Sequence, residues 1–346
     1  MSNSVRHKGK VRLAVDLPMG WFQVAWEGEL EPGRAKPVTA FHEEWVLYRS
    51  EAGDFHMTEA YCGHMGAHLG HGGQVKGDCV VCPYHGWRWS PQGEVVDIPY
   101  SSRVNRSRRL ATVPVKVVSG LVFAWYHPQG ESPLWEEPMP AISEHGDQAY
   151  YPVWPHAVRV EESNAHPQYV VENQVDSAHF VHVHNWADYV QLDAYGADGH
   201  GFMSLARGYV NTKRGPVLQR VLINAWGVGI VISRHQFDLS EGSADKESTE
   251  SKPSEVTSIC TTPTTPGRSA MRMTSWLPRN AGDDGEVPTG TAAALLRAGH
   301  REVFDHDGNI WDHMRYEPRP AYAREEARPF TDVREWTAQY YPEVSD

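Results

Sequence analysis

Four residues constrain this chain more than any others. The segment Tyr61-Cys62-Gly63-His64-Met65-Gly66 is followed by Cys82-Pro83-Tyr84-His85-Gly86-Trp87, with seventeen residues between His64 and Cys82. The pattern is C-x-H and then C-x-x-H, so each half offers one thiolate and one imidazole. Such a pattern requires two loops held face to face by a rigid scaffold. Gly63, Gly66, Gly70, Gly72, Gly73 and Gly86 suit tight loops whose backbone N–H groups point at sulfur.

Two facing loops of this kind deliver both sulfurs to one iron and both imidazoles to a second. That is the ligand arrangement of a Rieske [2Fe–2S] cluster, with Cys62, His64, Cys82 and His85 as ligands. Neutral imidazoles in place of two thiolates remove negative charge. They set the potential at about −150 to +300 mV, against about −400 mV for plant-type ferredoxins. A structural zinc site uses the same ligand types, but zinc fingers pair Cys with Cys and His with His along the chain. The mixed pairing here disfavours zinc. His68 and His71 share the first loop but fall outside the spacing and read as loop residues. Cys79 stands three before Cys82 and reads as a buried strand thiol beside Val80 and Val81 rather than a redox partner. Cys260 lies in a strand-like run and reads as core.

Residues 17–130 form an all-β unit by pattern. Trp21–Trp26, Glu44–Tyr48, Val113–Val117 and Gly120–Trp125 are short, rich in β-branched and aromatic residues, and separated by Gly- and Pro-containing stretches. Residues 131–160 carry Pro133, Pro138, Pro140, Pro152 and Pro155 and read as a connection. Residues 161–346 alternate the two periods. Tyr169–His184 predicts a helix, 202–237 and 255–277 predict strands with Val228–Ile232 buried, Glu241–Pro253 an exposed loop, 289–315 a helix and Val333–Tyr341 a last short helix. The fold class expected is α+β, a Rieske unit followed by a catalytic domain whose antiparallel sheet covers its helices.

A second constellation lies in that domain. Residues 172–184 read Glu-Asn-Gln-Val-Asp-Ser-Ala-His-Phe-Val-His-Val-His, the pattern N-x-x-D-x-x-H-x-x-x-x-H. Two histidines and one remote carboxylate make the facial triad of non-haem Fe(II), which leaves positions open for O₂ and substrate. Asp176 and His179 are three apart and neighbours on a helix. His179 and His184 are five apart and nearly opposite on an ideal one. Sharing one iron therefore requires the helix to end or distort after about Phe180, and His182 competes as a better helical neighbour. The third ligand must come from the helix-like run Phe304–His313, where Asp305, Asp307 and Asp312 compete.

The two constellations together resemble the Rieske non-haem iron oxygenases, specifically the terminal oxygenase component, from about Trp21 to Tyr341. Cys62–Leu69 with Gly77–Trp89 looks like the 3-ketosteroid 9α-hydroxylase and cholesterol 7-desaturase branch. So do Glu172-Asn173, Asp176, Ala178-His179-Phe180 and Val183-His184, and so does His306-Asp307 before Ile310-Trp311. The resemblance implies Asp307 as the third iron ligand beside His179 and His184. It further implies head-to-tail homotrimers in which Asp176 bridges a cluster histidine of one subunit to His179 of the next, with Asn173 near the iron. The activity implied is O₂-dependent hydroxylation of a bulky apolar substrate such as a steroid. Desaturation or demethylation on the same scaffold is the alternative. Trp186, Tyr189, Tyr195, Phe202, Trp226 and Trp276 are candidates to line the pocket.

No dinucleotide G-x-G-x-x-G fingerprint follows a strand. Electrons are therefore expected from a separate NAD(P)H-dependent reductase, with or without a ferredoxin. A net charge of −12 argues against a nucleic-acid partner. No apolar run approaches the roughly 20 residues of a membrane span, and the start leads into no continuous apolar segment. A cytoplasmic protein is expected. The rival from another class is a Rieske electron carrier, which leaves the second half of the chain without a purpose.

Overall fold

The computed structural model describes residues 17–142, 150–212, 215–238 and 255–341. The expected loop at Glu241–Pro253 lies outside them. Two compact units emerge, one of residues 20–141 with 262–266 and one built from 142–261 and 267 onward.

Apart from a 3₁₀ turn at Glu27–Glu29, the first unit is built of strands: β1 (Gly20–Trp26), β2 (Ala35–Ala40), β3 (Glu43–Arg49), β4 (Phe55–Glu59), β5 (Gln74–Lys76), β6 (Cys79–Val81), β7 (Arg88–Trp89), β8 (Val95–Asp97), β9 (Thr112–Val113), β10 (Val115–Val118) and β11 (Leu121–Tyr126). They form three sheets, ordered β1-β11-β10, β2-β3-β4-β9 and β5-β6-β7-β8. Pro114 divides the expected strand Val113–Val117 into β9 and β10, because proline has no N–H for a ladder. The two motif segments are the loops after β4 and after β6. Both rest on a core of Tyr48, Leu69, Val80, Trp89 and Leu110.

The second unit is a seven-stranded sheet with helices. Its strands are β12 (Val158–Ser163), β13 (Gln191–Asp198), β14 (Gly201–Thr212), β15 (Gly215–Trp226), β16 (Ile230–Asp238), β17 (Val256–Pro263) and β18 (Ser269–Trp276), in the order β12-β18-β17-β16-β15-β14-β13. β13 through β17 pair antiparallel, as do β12 and β18. The helices are α1 (Pro167–Asn173), α2 (His179–His182), α3 (Gly290–His300), α4 (Asn309–Trp311) and α5 (Ala327–Thr337). A π-helix (Arg301–Gly308) joins α3 to α4. The ring of Trp336 on α5 packs 5.3 Å from Phe202 on β14. Ser204 Oγ donates to Gln174 O at 2.8 Å, which seats the end of α1 on the same face of β14.

Three expected helices differ in detail. The run Tyr169–His184 is two pieces: α2 ends at His182, close to the expected break after Phe180, and a further interruption runs from Gln174 to Ala178. Gln174 Nε2 caps Val171 O, and Asp176 Oδ1 accepts from the N–H groups of Ala178 and His179, so side chains replace the backbone ladder there. The run 289–315 is α3, the π-helix and α4. The last helix begins at Ala327, earlier than the expected Val333, and ends at Thr337 in a 3₁₀ turn.

Candidate active site

The two motif loops of the first unit share one template. Gly66 N–H donates to Cys62 O at 2.9 Å, and Gly86 N–H to Cys82 O at 3.0 Å. Cys62 N–H donates to Ala67 O at 2.9 Å, and Cys82 N–H to Trp87 O at 2.8 Å. Both glycines have φ of 72°, a left-handed turn that disfavours any side chain. Only the histidine differs, two residues after its cysteine in one loop and three in the other.

This template brings the four motif residues together. Cys62 and Cys82 are buried free thiols, and the His64 and His85 rings are 4.8 Å apart. Burial pushes the Cys62 thiol up, and the neighbouring Cys82 adds to this. Nδ1 of His64 and Nδ1 of His85 are both buried without a hydrogen-bond partner. Buried ring nitrogens are rarely left so. Two inward nitrogens and two inward sulfurs are the donor set of a Rieske cluster, and these residues fit it. Met65, Tyr84 and Tyr100 are exposed around the histidine edge.

His68 and His71 pack on each other instead, their rings 4.5 Å apart. Cys79 is buried in β6 and donates to Asp78 Oδ1 at 3.1 Å. Cys260 is buried in β17.

In the second unit His179, His184 and Asp307 converge. One ligand atom from each lies within 4.8 Å of the others. Their side chains are 9–10 % exposed, and the two imidazoles meet edge to face at 5.1 Å. The i, i+5 problem is solved by ending the helix. The turn α2 stops at His182, Asn185 takes a left-handed φ of 56°, and Trp186 N–H folds back to Phe180 O. His182 is exposed beside Tyr189 and takes no part. Asp305 is 60 % exposed and faces Arg159. Asp312 accepts from Ser163 Oγ and Asn164 N–H. Of the three competing acids, Asp307 alone is in the group.

Asp307 reaches it from the π-helix. Five residues turn an α-helix through about 500°, leaving Glu302 and Asp307 on different faces. The wider π turn brings i and i+5 onto one face. Asp307 Oδ1 then lies 3.3 Å from His184 Nε2 while Glu302 Oε2 lies 2.8 Å from His184 Nδ1. Glu302 also binds His306 Nδ1 at 2.9 Å. The motif spacing does not single out Glu302; the one signal for it is its position four residues before His306 on a helical stretch. A β-carbon at Gly308 would stand 3.0 Å from Val303 O and 3.3 Å from Met271, so glycine lets the wide turn close.

The charges follow from this geometry. Burial opposes charge on His184, yet its hydrogen bonds to Asp307 and Glu302 prevail and raise it to about 9. Burial likewise opposes charge on Glu302, but His184 and Arg301 hold its carboxyl at about 2. Burial pushes His179 below its ordinary value, against the pull of Asp307 and Asp176. His179 Nδ1 donates to the main-chain oxygen of Asp176, whose carboxylate Oδ1 stands 3.9 Å away. Each imidazole thus has Nδ1 engaged by an oxygen, which leaves Nε2 to face a metal. A 2-His-1-carboxylate set of this form fits non-haem Fe(II).

The family model for the Rieske [2Fe-2S] domain matches residues 20–114. That for the 3-ketosteroid 9alpha-hydroxylase C-terminal domain matches residues 124–341, more than half of the chain. The protein is a Rieske non-haem iron oxygenase of the 3-ketosteroid 9α-hydroxylase family. Among the relatives of this oxygenase is a cholesterol 7-desaturase of Ciona intestinalis, 31 % identical, with the alignment covering 100 % of this chain and 73 % of the relative. A probable 3-ketosteroid-9-alpha-monooxygenase oxygenase component of Rhodococcus rhodochrous is 30 % identical over 94 % of this chain and 80 % of its own. The crystal structure of dicamba monooxygenase shares the fold, with a TM-score of 0.71 at 18 % identity over 94 % of this chain and 98 % of that one. The cofactors of this oxygenase are the [2Fe–2S] cluster and a mononuclear iron.

Beside its His–His–Asp group the oxygenase has a cavity of about 560 Å³. The walls include Val170, Phe180, Val221, Ile223, Val231, Ile259, Met273, Leu295 and Trp311. Asn173 also lines it. Of the six aromatics expected there, only Trp186 does. It lies on β14 at Gly208, where a β-carbon would meet the ring at 2.8 Å. Tyr189 is exposed. Tyr195 and Phe202 are engaged at the α5 end of the sheet, with Asp332 and Trp336. Trp226 and Trp276 are three residues from the lining residues Ile223 and Met273, so strand alternation turns them to the opposite face.

Proposed function

We propose that this chain is the terminal oxygenase of a multicomponent system that hydroxylates a bulky apolar ring substrate of the steroid class. The observation that carries this reading is the large cavity, apolar over most of its surface, that ends on His179, His184 and Asp307. Residues 17–130 are the electron-transfer domain, with Cys62, His64, Cys82 and His85 holding the cluster. Residues 131–160 connect it to the catalytic domain, 161–346, where His179, His184 and Asp307 hold iron. Bound there, the cluster supplies one-electron transfer and the iron supplies activation of O₂.

The chain's own residues do the rest. The main-chain oxygen of Asp176 and the carboxylate of Glu302 fix the orientation and tautomer of His179 and His184. Aliphatic side chains from β15, β16, β17 and α3 keep the reacting face dry. Asn173 borders the iron without being one of its ligands.

Electrons come from a separate NAD(P)H-dependent reductase, with or without a ferredoxin. The relatives named as oxygenase components support this. We read the assembly as a head-to-tail homotrimer in which the half-exposed Asp176 links His179 to His64 or His85 of a neighbouring subunit. The exposed Met65, Tyr84 and Tyr100 beside those histidines suit such a contact. Four buried free cysteines suit a reducing cytoplasm. No described helix is long and apolar enough to cross a membrane. The relationship to cholesterol 7-desaturases favours desaturation as a second outcome at the same site.

A steroid panel with a surrogate reductase, read by mass spectrometry, separates these outcomes: an added oxygen for hydroxylation, two lost hydrogens for desaturation. No conversion of any steroid would overturn the substrate class. Asp176→Ala is expected to keep the cluster's visible spectrum and abolish turnover. Full turnover in that variant would sink the bridge.

A further inference from the structure

The wall of the cavity formed by the sheet changes character along its strands. Register places Ala225, Val231 and Ile259 side by side on β15, β16 and β17, then Ile223, Ser233 and Thr257, then Val221 with His235. Gln219 lies two residues beyond Val221 on the same face of β15. Along the strands the wall therefore changes from Val231 and Ile259 to Ser233, Thr257, His235 and Gln219, all of which line the cavity. Gln219 and Thr257 are each 5 % exposed. Buried polar side chains cost free energy unless they are hydrogen-bonded.

These side chains form a directed chain of hydrogen bonds. Gln219 Nε2 donates to His235 Nδ1 at 2.7 Å. A ring nitrogen that accepts leaves the proton on the other, so His235 Nε2–H donates to Ser233 Oγ at 3.2 Å. The Ser233 hydroxyl still has its own O–H to donate. Every member is neutral, and every donor points toward the next. The chain ends on a donor facing a cavity whose surface is mostly apolar. Glu255 lines the same cavity.

We propose that Ser233, backed by His235 and Gln219, is the polar anchor of the substrate: its hydroxyl donates to a neutral oxygen, carbonyl or hydroxyl, on the ring system. Ser233 is then a specificity-determining residue, and His235 and Gln219 are positioning residues. The proposal rests on the reading of the cavity as the site of a bulky ring substrate, and it adds the chemistry that distinguishes one such ring from another.

The test uses the holoenzyme, oxidised and without reductase, and reads binding by the fluorescence of Trp186 and Trp311. The probes are a saturated steroid hydrocarbon, its A-ring ketone and its D-ring ketone. The parent protein is expected to bind one ketone about tenfold tighter than the hydrocarbon, as one hydrogen bond allows. Ser233→Ala is expected to reduce that preference to within about twofold while leaving hydrocarbon affinity unchanged, which also shows that the variant is folded. Ser233→Thr keeps the hydroxyl and should keep the preference. Equal binding of ketones and hydrocarbon by the parent overturns the proposal, as does a preference that survives Ser233→Ala. Binding of none of the three overturns the bulky-ring reading itself, and the anchor with it.

Discussion

In the first unit all four cluster residues lie between Cys62 and His85, on two loops closed by their own main-chain hydrogen bonds. In the second, the iron residues come from 179, 184 and 307, on a helical turn that ends between two of them and a π-helix that widens to deliver the third. The first site is local and regular; the second is assembled from distant segments through departures from regular geometry. The unit around them is tied together by tertiary contacts. Arg334 on α5, for example, pairs at 2.8 Å with the buried Glu172, the residue before Asn173 on α1. The comparison teaches that the electron-carrying site depends on loop chemistry, whereas the oxygen-reacting site depends on the packing of the whole catalytic unit.

The largest effects test whether the two sites are independent. Cys82→Ala should remove the visible cluster absorption and about two of about three irons per chain. Asp307→Ala should remove the remaining iron, leave the cluster spectrum unchanged, and reduce turnover to background. Loss of all iron in either variant would break the division. Arg334→Met strands a buried carboxylate and is expected to cost about 3–5 kcal/mol in denaturant unfolding. The mononuclear iron should be lost before the cluster as denaturant rises.

Glu302→Gln keeps the shape but weakens the acceptor on His184. A loss of 10- to 100-fold in Fe(II) affinity is expected, with no change in the cluster spectrum. Unchanged affinity by titration of the iron-depleted protein would show that Glu302 does not orient the ligand. The smallest effect concerns Glu255, whose carboxyl is raised to about 7 from 4.5 by burial, against a hydrogen bond from Thr257. A raised value means that the folded form holds its proton more tightly, so stability declines as pH rises from about 4.5 through about 7. Glu255→Gln should remove this decline, by about 1 kcal/mol after allowance for solvent, as read in denaturant midpoints at both ends of that range.

Legibility in the sequence follows the same division. The cluster ligands could be read because their spacing is itself the structure: two short loops need no information from elsewhere. The α+β class and the strands of 202–237 were legible for the same reason, since period two is local. Asp307 could not be separated from Asp305 and Asp312 by spacing, because the i, i+5 relation to Glu302 has meaning only in a π-helix. The break expected from the His179–His184 distance is the end of α2 at His182, whereas the second interruption, where Asp176 caps the following turn, has no signal in the spacing. The pocket-lining aromatics are not legible because residue type does not record which face of a strand a tryptophan takes or what α5 covers.

The twin loops around Cys62 and Cys82 have one more consequence. Each loop is closed on itself by its own peptide groups, so the pair has the character of a mould. Reconstitution with iron and sulfide should therefore be a filling reaction, whose rate follows the supply of its ingredients rather than the refolding of the chain.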